Sequence, residues 1–173
     1  MTKIMKLISP SIDFKNSYFS YIEELGNEER YPYPMDLEHA NFEALVDRLT
    51  LYSKGINLPD WLVPNTTFWL MNKNQICGCS HLRHYLNEEL EFAGGHIGLG
   101  IRPTYRGKGL SKILLHLTIK KAINMGINKV HIHCHQSNIQ SKRMIESTGA
   151  ILSSTVTLEE SKQTLLRYVY SRT

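Results

Sequence analysis

Ten residues between an apolar strand pattern and an amphipathic helix pattern constrain this chain more than any other segment: Arg102-Pro103-Thr104-Tyr105-Arg106-Gly107-Lys108-Gly109-Leu110-Ser111. Residues 95–101 read as the strand feeding this turn. Residues 108–125 read as a long helix with Leu110, Ile113, Leu114, Leu117 and Ala122 facing inward, closed by Gly126. Gly107 and Gly109 allow backbone angles that other residues avoid, and they let a ligand approach the main chain. The first turn of the helix offers unpaired N–H groups and the positive end of its dipole to the same spot. Arg102, Arg106, Lys108 and Lys112 add charge, and no acidic residue lies between Ile101 and Glu146. This is the layout of an anion cradle, suited to a phosphate or pyrophosphate.

Two nucleotide signatures fail on the same residues. No Gly-Lys-Ser/Thr closes the turn, as a phosphate-loop NTPase requires. Only two glycines are present, and no acid follows about twenty positions on, as a dinucleotide fold requires. A kinase or nucleotide transferase is disfavoured accordingly.

The 173 residues suffice for one domain, 1–173, with a sizeable core. The net charge of +4 is concentrated in the turn and is too local for a nucleic-acid surface. Cys77, Cys79 and Cys134 are an odd set that suits a reduced, cytoplasmic protein. The N-terminus lacks a signal-peptide core, and no apolar run approaches a membrane span, so no membrane partner is expected.

Along the chain, 4–8 reads as a short strand and 13–25 as a helix stopped by Gly26. Tyr31-Pro32-Tyr33-Pro34 excludes helix and central strand. Asp36 is expected to cap a second helix that buries Leu37, Phe42, Leu45, Val46, Leu49 and Tyr52 and ends near Gly55. A loop over 58–65 leads to strands at 67–71 and 75–81, joined by a turn at Asn72-Lys73-Asn74. A strand at 130–134, a helix at 139–147 and a closing antiparallel pair at 150–157 and 164–170 follow the long helix.

Arg106-x-x-Gly109-x-Ser111 resembles the Gln/Arg-x-x-Gly-x-Gly/Ala motif of the GCN5-related N-acetyltransferases, with Ser111 a small-for-small departure. Asn138-x-x-Ser141, followed by a helix and Gly149, is similar to that family's second signature, at the expected distance. Residues 94–111 and the Leu82–Asn87 stretch look closer still to a bacterial subgroup of predicted acetyltransferases. The resemblance covers roughly residues 66–150, and more loosely the helical N-terminal third.

What the resemblance implies is an α/β (α+β) acetyltransferase fold. It has a mixed, mostly antiparallel central sheet of about seven strands, splayed between strands 4 and 5, with about four flanking helices. It implies acetyl-coenzyme A as cosubstrate, no metal, and a small-molecule or peptide amine as acceptor; family habit adds a homodimer. Carried over to this chain, Leu99 and Ile101 would meet the pantetheine arm. Arg106, Gly107, Lys108, Gly109, Leu110 and Ser111 would hold the pyrophosphate, with Asn138 and Ser141 further along the arm. The acetyl group would pass by direct attack of a neutral amine, with a backbone N–H near Ile101 meeting the oxyanion. A protein of this fold that binds acyl-coenzyme A without turnover is the alternative.

The catalytic groups are less clearly marked. The family's frequent tyrosine acid is replaced by Ile145, which leaves Tyr168 or water. His96 stands either as the base or as a structural histidine bonded across strands. Glu88, Glu89 and Glu91 would either attract a cationic amine or line a solvated loop. His81, Arg83 and His84 are candidates for the acceptor site, as are Tyr31, Tyr33 and the stretch around Glu159 and Glu160. His131, His133 and His135 share one strand face, but three ligands on one strand rarely close a metal site. Cys134 is expected either beside the cofactor sulfur or packed and inert.

Overall fold

Residues 65–83 build the centre of the molecule as two strands buried on both faces, with a bulge where Leu70 and Met71 face Gly78 and Ile76. The computed structural model describes residues 5–172, so Ile4, assigned above to the first strand, lies outside them. β1 (Lys6–Ile8), β2 (Asn65–Asn72), β3 (Gln75–Arg83) and β4 (Ile97–Ile101) form one antiparallel sheet in that order. Trp69, Met71 and Cys79 point to one face, where α1 (Lys15–Leu25) and α2 (Phe42–Ser53) pack through Tyr18, Tyr21, Ile22, Leu45 and Leu49. Leu70 and Cys77 point to the other, under Leu110 and Leu114 of α3 (Leu110–Asn124). There Thr118 donates to Ser80 Oγ at 2.8 Å, so both buried hydroxyls are satisfied.

β5 (Lys129–His135), β7 (Thr164–Ser171) and β6 (Ile151–Thr157) form a second sheet in the order β5-β7-β6, also antiparallel. α4 (Ile139–Glu146) covers it through Ile145, which packs with Ile132, Cys134 and Tyr168. The seven expected strands are all present. The splay between the fourth and fifth divides them into a four-stranded and a three-stranded sheet, tied where the His96 N–H donates to the His131 carbonyl at 2.8 Å. Gly95 makes that approach feasible: it has φ +67°, and a Cβ there would lie 2.9 Å from the His131 oxygen.

Several local expectations are corrected. Asp36 does not cap α2; it ends a short 3₁₀ turn (Tyr33–Asp36), and α2 starts at Phe42 with the Asn41 side chain accepting from the Ala44 N–H at 3.0 Å. Pro34 fits that turn because the first turn of a helix needs no N–H there. α3 begins at Leu110, after both glycines have taken left-handed angles. Its buried face runs through Leu110, Leu114, Leu115, Thr118, Ile119 and Ala122, while Ile113 is 40% exposed. The helix is apolar on nearly every side, so periodicity alone left the face ambiguous. Residues 90–94 form a π-helical turn that leads the chain to β4.

Candidate active site

The turn at 102–111 is braced from α1. Arg102 is buried; its Nε donates to Glu24 Oε1 at 2.8 Å and its NH2 to Ser20 Oγ at 2.8 Å. The Thr104 N–H and hydroxyl both donate to Glu24 Oε2. These bonds hold the Glu24 carboxyl below its ordinary pKa, the Arg102 hydrogen bond being the largest cause. Arg106 donates from NH1 and NH2 to the two oxygens of Glu28, at 3.1 and 2.7 Å, and from Nε to the Ile101 carbonyl at 3.0 Å. Lys108 donates to the Thr104 carbonyl at 2.7 Å and lies over the Tyr105 ring. The turn's charge is therefore not uncancelled: Glu24 and Glu28 come to it across nearly eighty residues of sequence, and Arg102, Arg106 and Lys108 act as struts.

The backbone is what remains for an anion. Gly107 and Gly109 both have φ +73°, and no side chain caps the first turn of α3. Unclaimed N–H groups and the helix dipole thus open together onto a cleft of about 350 Å³. Of the residues assigned to the cofactor, Leu99, Ile101, Arg106, Gly107, Gly109, Leu110, Ser111 and Asn138 line it. Lys108 and Ser141 do not; the Ser141 N–H is taken by Asn138 Oδ1 at 3.0 Å, which caps α4. Gly100, Tyr105 and Gln140 line it as well; the first two lie in the stretch 94–111 already singled out, while nothing in the sequence marked Gln140.

The cleft continues along β4. The Arg102 N–H donates to Cys77, and the His96 carbonyl accepts from Arg83, so even-numbered residues of this strand turn their polar groups toward β3. By alternation, Leu99 and Ile101 direct theirs into the gap before β5. β4 keeps regular register with β3, although glycines inside a strand often mark a bulge. Gly98 and Gly100 have another reason: a Cβ on Gly98 would lie 2.9 Å from the Tyr31 hydroxyl, and one on Gly100 would collide with the Tyr31 carbonyl. The Tyr31-Pro32 segment is the chain that passes close over the strand.

Near this strand, burial lowers the pKa of His81, His96 and His133. His96 Nδ1 accepts from the His131 N–H at 2.9 Å, so the lone pair on that nitrogen is spent and a neutral ring carries its proton on Nε2. Burial, with His131 and His133 beside it, lowers its pKa to about 4. Of the two readings of His96, this geometry fits the structural histidine bonded across strands. His133 is lowered to about 4, chiefly by burial. His81 is fully buried beside Tyr33, with both ring nitrogens lacking partners, and burial lowers it to about 3. Arg83 is occupied too, donating to the Gly95 carbonyl at 2.9 Å, and His84 Nε2 lies 2.8 Å from Thr66 Oγ1.

The remaining candidates fall elsewhere. Tyr168 donates to Glu146 at 2.8 Å, and burial is the main cause that pushes its pKa up to about 12. Cys134 packs in the core with Ile145. Among the described residues, no group of three or more His, Cys, Asp or Glu side chains is placed to hold a metal.

The model of the acetyltransferase (GNAT) family matches residues 21–150, which span the α1 brace, the turn and the splayed strands. The chain belongs to the GNAT acetyltransferase family. A search of curated proteins matches none. Among solved structures, the Microcin C7 self immunity acetyltransferase MccE in complex with acetyl-CoA and AMP is similar at 12% identity and TM-score 0.69, over 97% of this chain and 92% of that one. An acetyl transferase from Salmonella typhimurium that modifies the N-terminal serine of 50S ribosomal subunit protein L7/L12 is similar at 12% identity and TM-score 0.70, over 100% and 97%. RimL, a ribosomal L7/L12 alpha-N-protein acetyltransferase in complex with coenzyme A, is similar at 13% identity and TM-score 0.70, over 99% and 95%. At such identities the likeness establishes the GNAT fold.

Proposed function

We propose that this GNAT protein transfers the acetyl group of acetyl-coenzyme A to a primary amine by direct attack in the gap between β4 and β5. The observation that carries this reading is the continuity of one cleft from the uncapped start of α3 to the inward-turned backbone of Leu99 and Ile101. The pyrophosphate binds the N–H groups of 107–111. The amide-bearing pantetheine arm pairs with β4 much as an added strand would. The amine nitrogen attacks the thioester carbonyl carbon, and the carbonyl oxygen, now negative, meets the Ile101 N–H. The attacking nitrogen gives up its extra proton to solvent, the carbon–sulfur bond breaks, and coenzyme A leaves as a thiolate that takes a proton from solvent, so the amide and the free thiol are the products. The structures of MccE with acetyl-CoA and of RimL with coenzyme A support the choice of cosubstrate.

A second reading rests on one observation: Ile145 fills the usual acid position, and the Tyr168 hydroxyl is committed to Glu146. A protein of this fold that binds acetyl-coenzyme A without turnover would tolerate both features. Thermal shift with acetyl-coenzyme A, against ATP and NAD, tests the shared part. At 100-fold over Kd, binding adds about 2.7 kcal/mol, roughly 5–10 °C for a domain of this size. Gly109→Asp sets a carboxylate at the cradle on a left-handed residue, and the shift is expected to vanish. Thiol release with a panel of amines then separates enzyme from binding module, and its absence with every amine favours the latter.

A further inference from the structure

The second sheet turns Ile132, Cys134 and Tyr168 to the helices that cover it. Alternate residues face the other way, and the register sets His133, Arg167 and Ser154 side by side across β5, β7 and β6. A small pocket of about 130 Å³ opens on that face, lined by Glu91, His131, Ser153, Ser154 and Arg167. Glu91 comes to it on the π-helical turn at 90–94. The pocket shares no residue with the wider groove that Glu159 and Glu160 line at the hairpin tip.

Arg167 is the one fixed cation of this pocket and Glu91 the one acid, yet the two do not pair. Among the described residues Arg167 makes a single side-chain hydrogen bond, from Nε to Ser154 Oγ at 2.9 Å, and the Glu91 carboxylate makes none. The Ser154 bond orients the guanidinium and leaves both terminal nitrogens unclaimed. Arg83, by contrast, is spent on the Gly94 and Gly95 carbonyls. An open guanidinium fork matches a carboxylate through two parallel hydrogen bonds. Glu91 offers the counter-charge for an ammonium. The volume is well below the roughly 300–1,000 Å³ of drug-sized ligand sites. A small molecule that carries a carboxylate and an ammonium together fits these three features.

The pocket lies beside the reaction gap. His131, on its wall, bonds to His96 where β4 and β5 meet. Arg167 stands behind β5, one strand spacing of about 4.8 Å back from the gap. The His133 ring between them, its pKa lowered to about 4 chiefly by burial, adds no charge to repel an incoming ammonium. We propose that this pocket is the acceptor subsite for a small α-amino acid: Arg167 holds the carboxylate, Glu91 draws the ammonium, and the α-nitrogen is acetylated in the gap between β4 and β5. The proposal deepens the acetyl-transfer reading above and rests on it. The α-ammonium first gives one proton to solvent. The neutral nitrogen then forms the amide bond as the carbon–sulfur bond breaks; it releases a second proton, and the thiolate takes one up. The products are the N-acetylamino acid and free coenzyme A.

The test measures thiol release from acetyl-coenzyme A with L-alanine, L-serine and L-threonine, with the amide of each, and with spermidine. At least one amino acid is expected to show kcat/KM tenfold or more above its own amide and above spermidine. Arg167→Met should cut that acid-over-amide ratio about tenfold, through KM for the acid. Arg167→Lys, which keeps the charge but not the fork, should retain part of the ratio. Glu91→Gln should raise KM for acid and amide alike, since both carry the ammonium. In the coenzyme A-loaded protein, the preferred amino acid should raise the thermal midpoint more than its amide does. Amides used as well as acids, spermidine preferred, or a ratio unchanged in Arg167→Met would each overturn the proposal. So would the absence of both turnover and midpoint shift with every amino acid, in a protein that shows the acetyl-coenzyme A shift. A midpoint shift with an amino acid but no thiol release from any amine keeps the subsite and overturns the transfer reading instead.

Discussion

Arg102 and Arg106 stand four residues apart in one turn, yet the fold uses them differently. Arg102 is an internal strut: its guanidinium is buried against Glu24, Ser20 and Gln75, and it sets the distance between α1 and the start of the turn. Replacing it with alanine leaves Glu24 partly buried without its cation. The expected loss is about 2–3 kcal/mol in urea unfolding, below the ~3–5 kcal/mol typical of fully buried pairs because the carboxylate keeps some water. Arg106 and Glu28 pair at the surface, so Arg106→Ala should barely move the unfolding midpoint. The Glu24 carboxyl is held below its ordinary value, so its contribution is present above the unfolded pKa near 4.5 and lost as pH falls through the folded one. Glu24→Gln should therefore flatten the acid limb of the stability curve below about pH 4.5. The sequence displayed the basic turn and its glycines, but not the acids that answer it. Contacts between positions 24 and 102, or 28 and 106, leave no local pattern.

At the scale of elements, pattern served best where each face was chemically distinct. α1 and α2 came out nearly as periodicity implies, because Tyr18 and Leu45 lie on the one buried side of each, whereas β2 and β3, buried on both faces, were readable as short apolar runs either side of a turn. α3 did not, since its apolar residues surround it, and the Asn41 cap was hidden behind a competing Asp36 five positions earlier. The glycines of β4 show the limit most clearly. Strand glycines announce a close approach, but sequence does not say of what; the structure answers with the Tyr31-Pro32 segment. Two substitutions separate the contacts. Gly100→Ala meets the backbone carbonyl of Tyr31, which can move only with its whole segment, at an expected cost of about 2–3 kcal/mol. Gly98→Ala meets the end of a tyrosine side chain, which can swing away, and should cost about 1 kcal/mol or less. Tyr31→Phe should remove most of the Gly98→Ala cost and none of the Gly100→Ala cost, measured as a double-mutant cycle in urea.

For the whole molecule, the decisive feature is that one sheet becomes two. The β4–α3–β5 crossover carries the chain from the first to the second, and His96 and His131 fasten them at one end while the other end opens as the cleft. The order of elements made the crossover readable, and the family motif made the opening expected. The fastening was not readable, because a histidine before a strand looks the same whether it reacts or bridges. Holding the sheets this way commits several imidazoles to a dry environment, which gives the molecule an acid weakness. His81, neutral in the fold with its pKa at about 3, is protonated in the unfolded chain below about 6.5. The unfolded state therefore binds more protons below pH 6.5, so this stability is complete above that pH and falls as pH drops toward 3. Between pH 6.5 and 5 the loss from His81 alone is on the order of 1–2 kcal/mol. His96 and His133 act in the same direction with less weight, since solvent reaches them more. Urea midpoints should thus decline from pH 7 to 5, well before the carboxylates titrate. His81→Leu should remove a substantial part of that slope while leaving the midpoint at pH 7.5 within about 1.5 kcal/mol of the parent, because its ring nitrogens satisfy no partner in the fold. An unchanged slope in that variant would mean that His81 is reached by water or a proton donor in solution, and that the dry side of the first sheet is wetter than its packing implies.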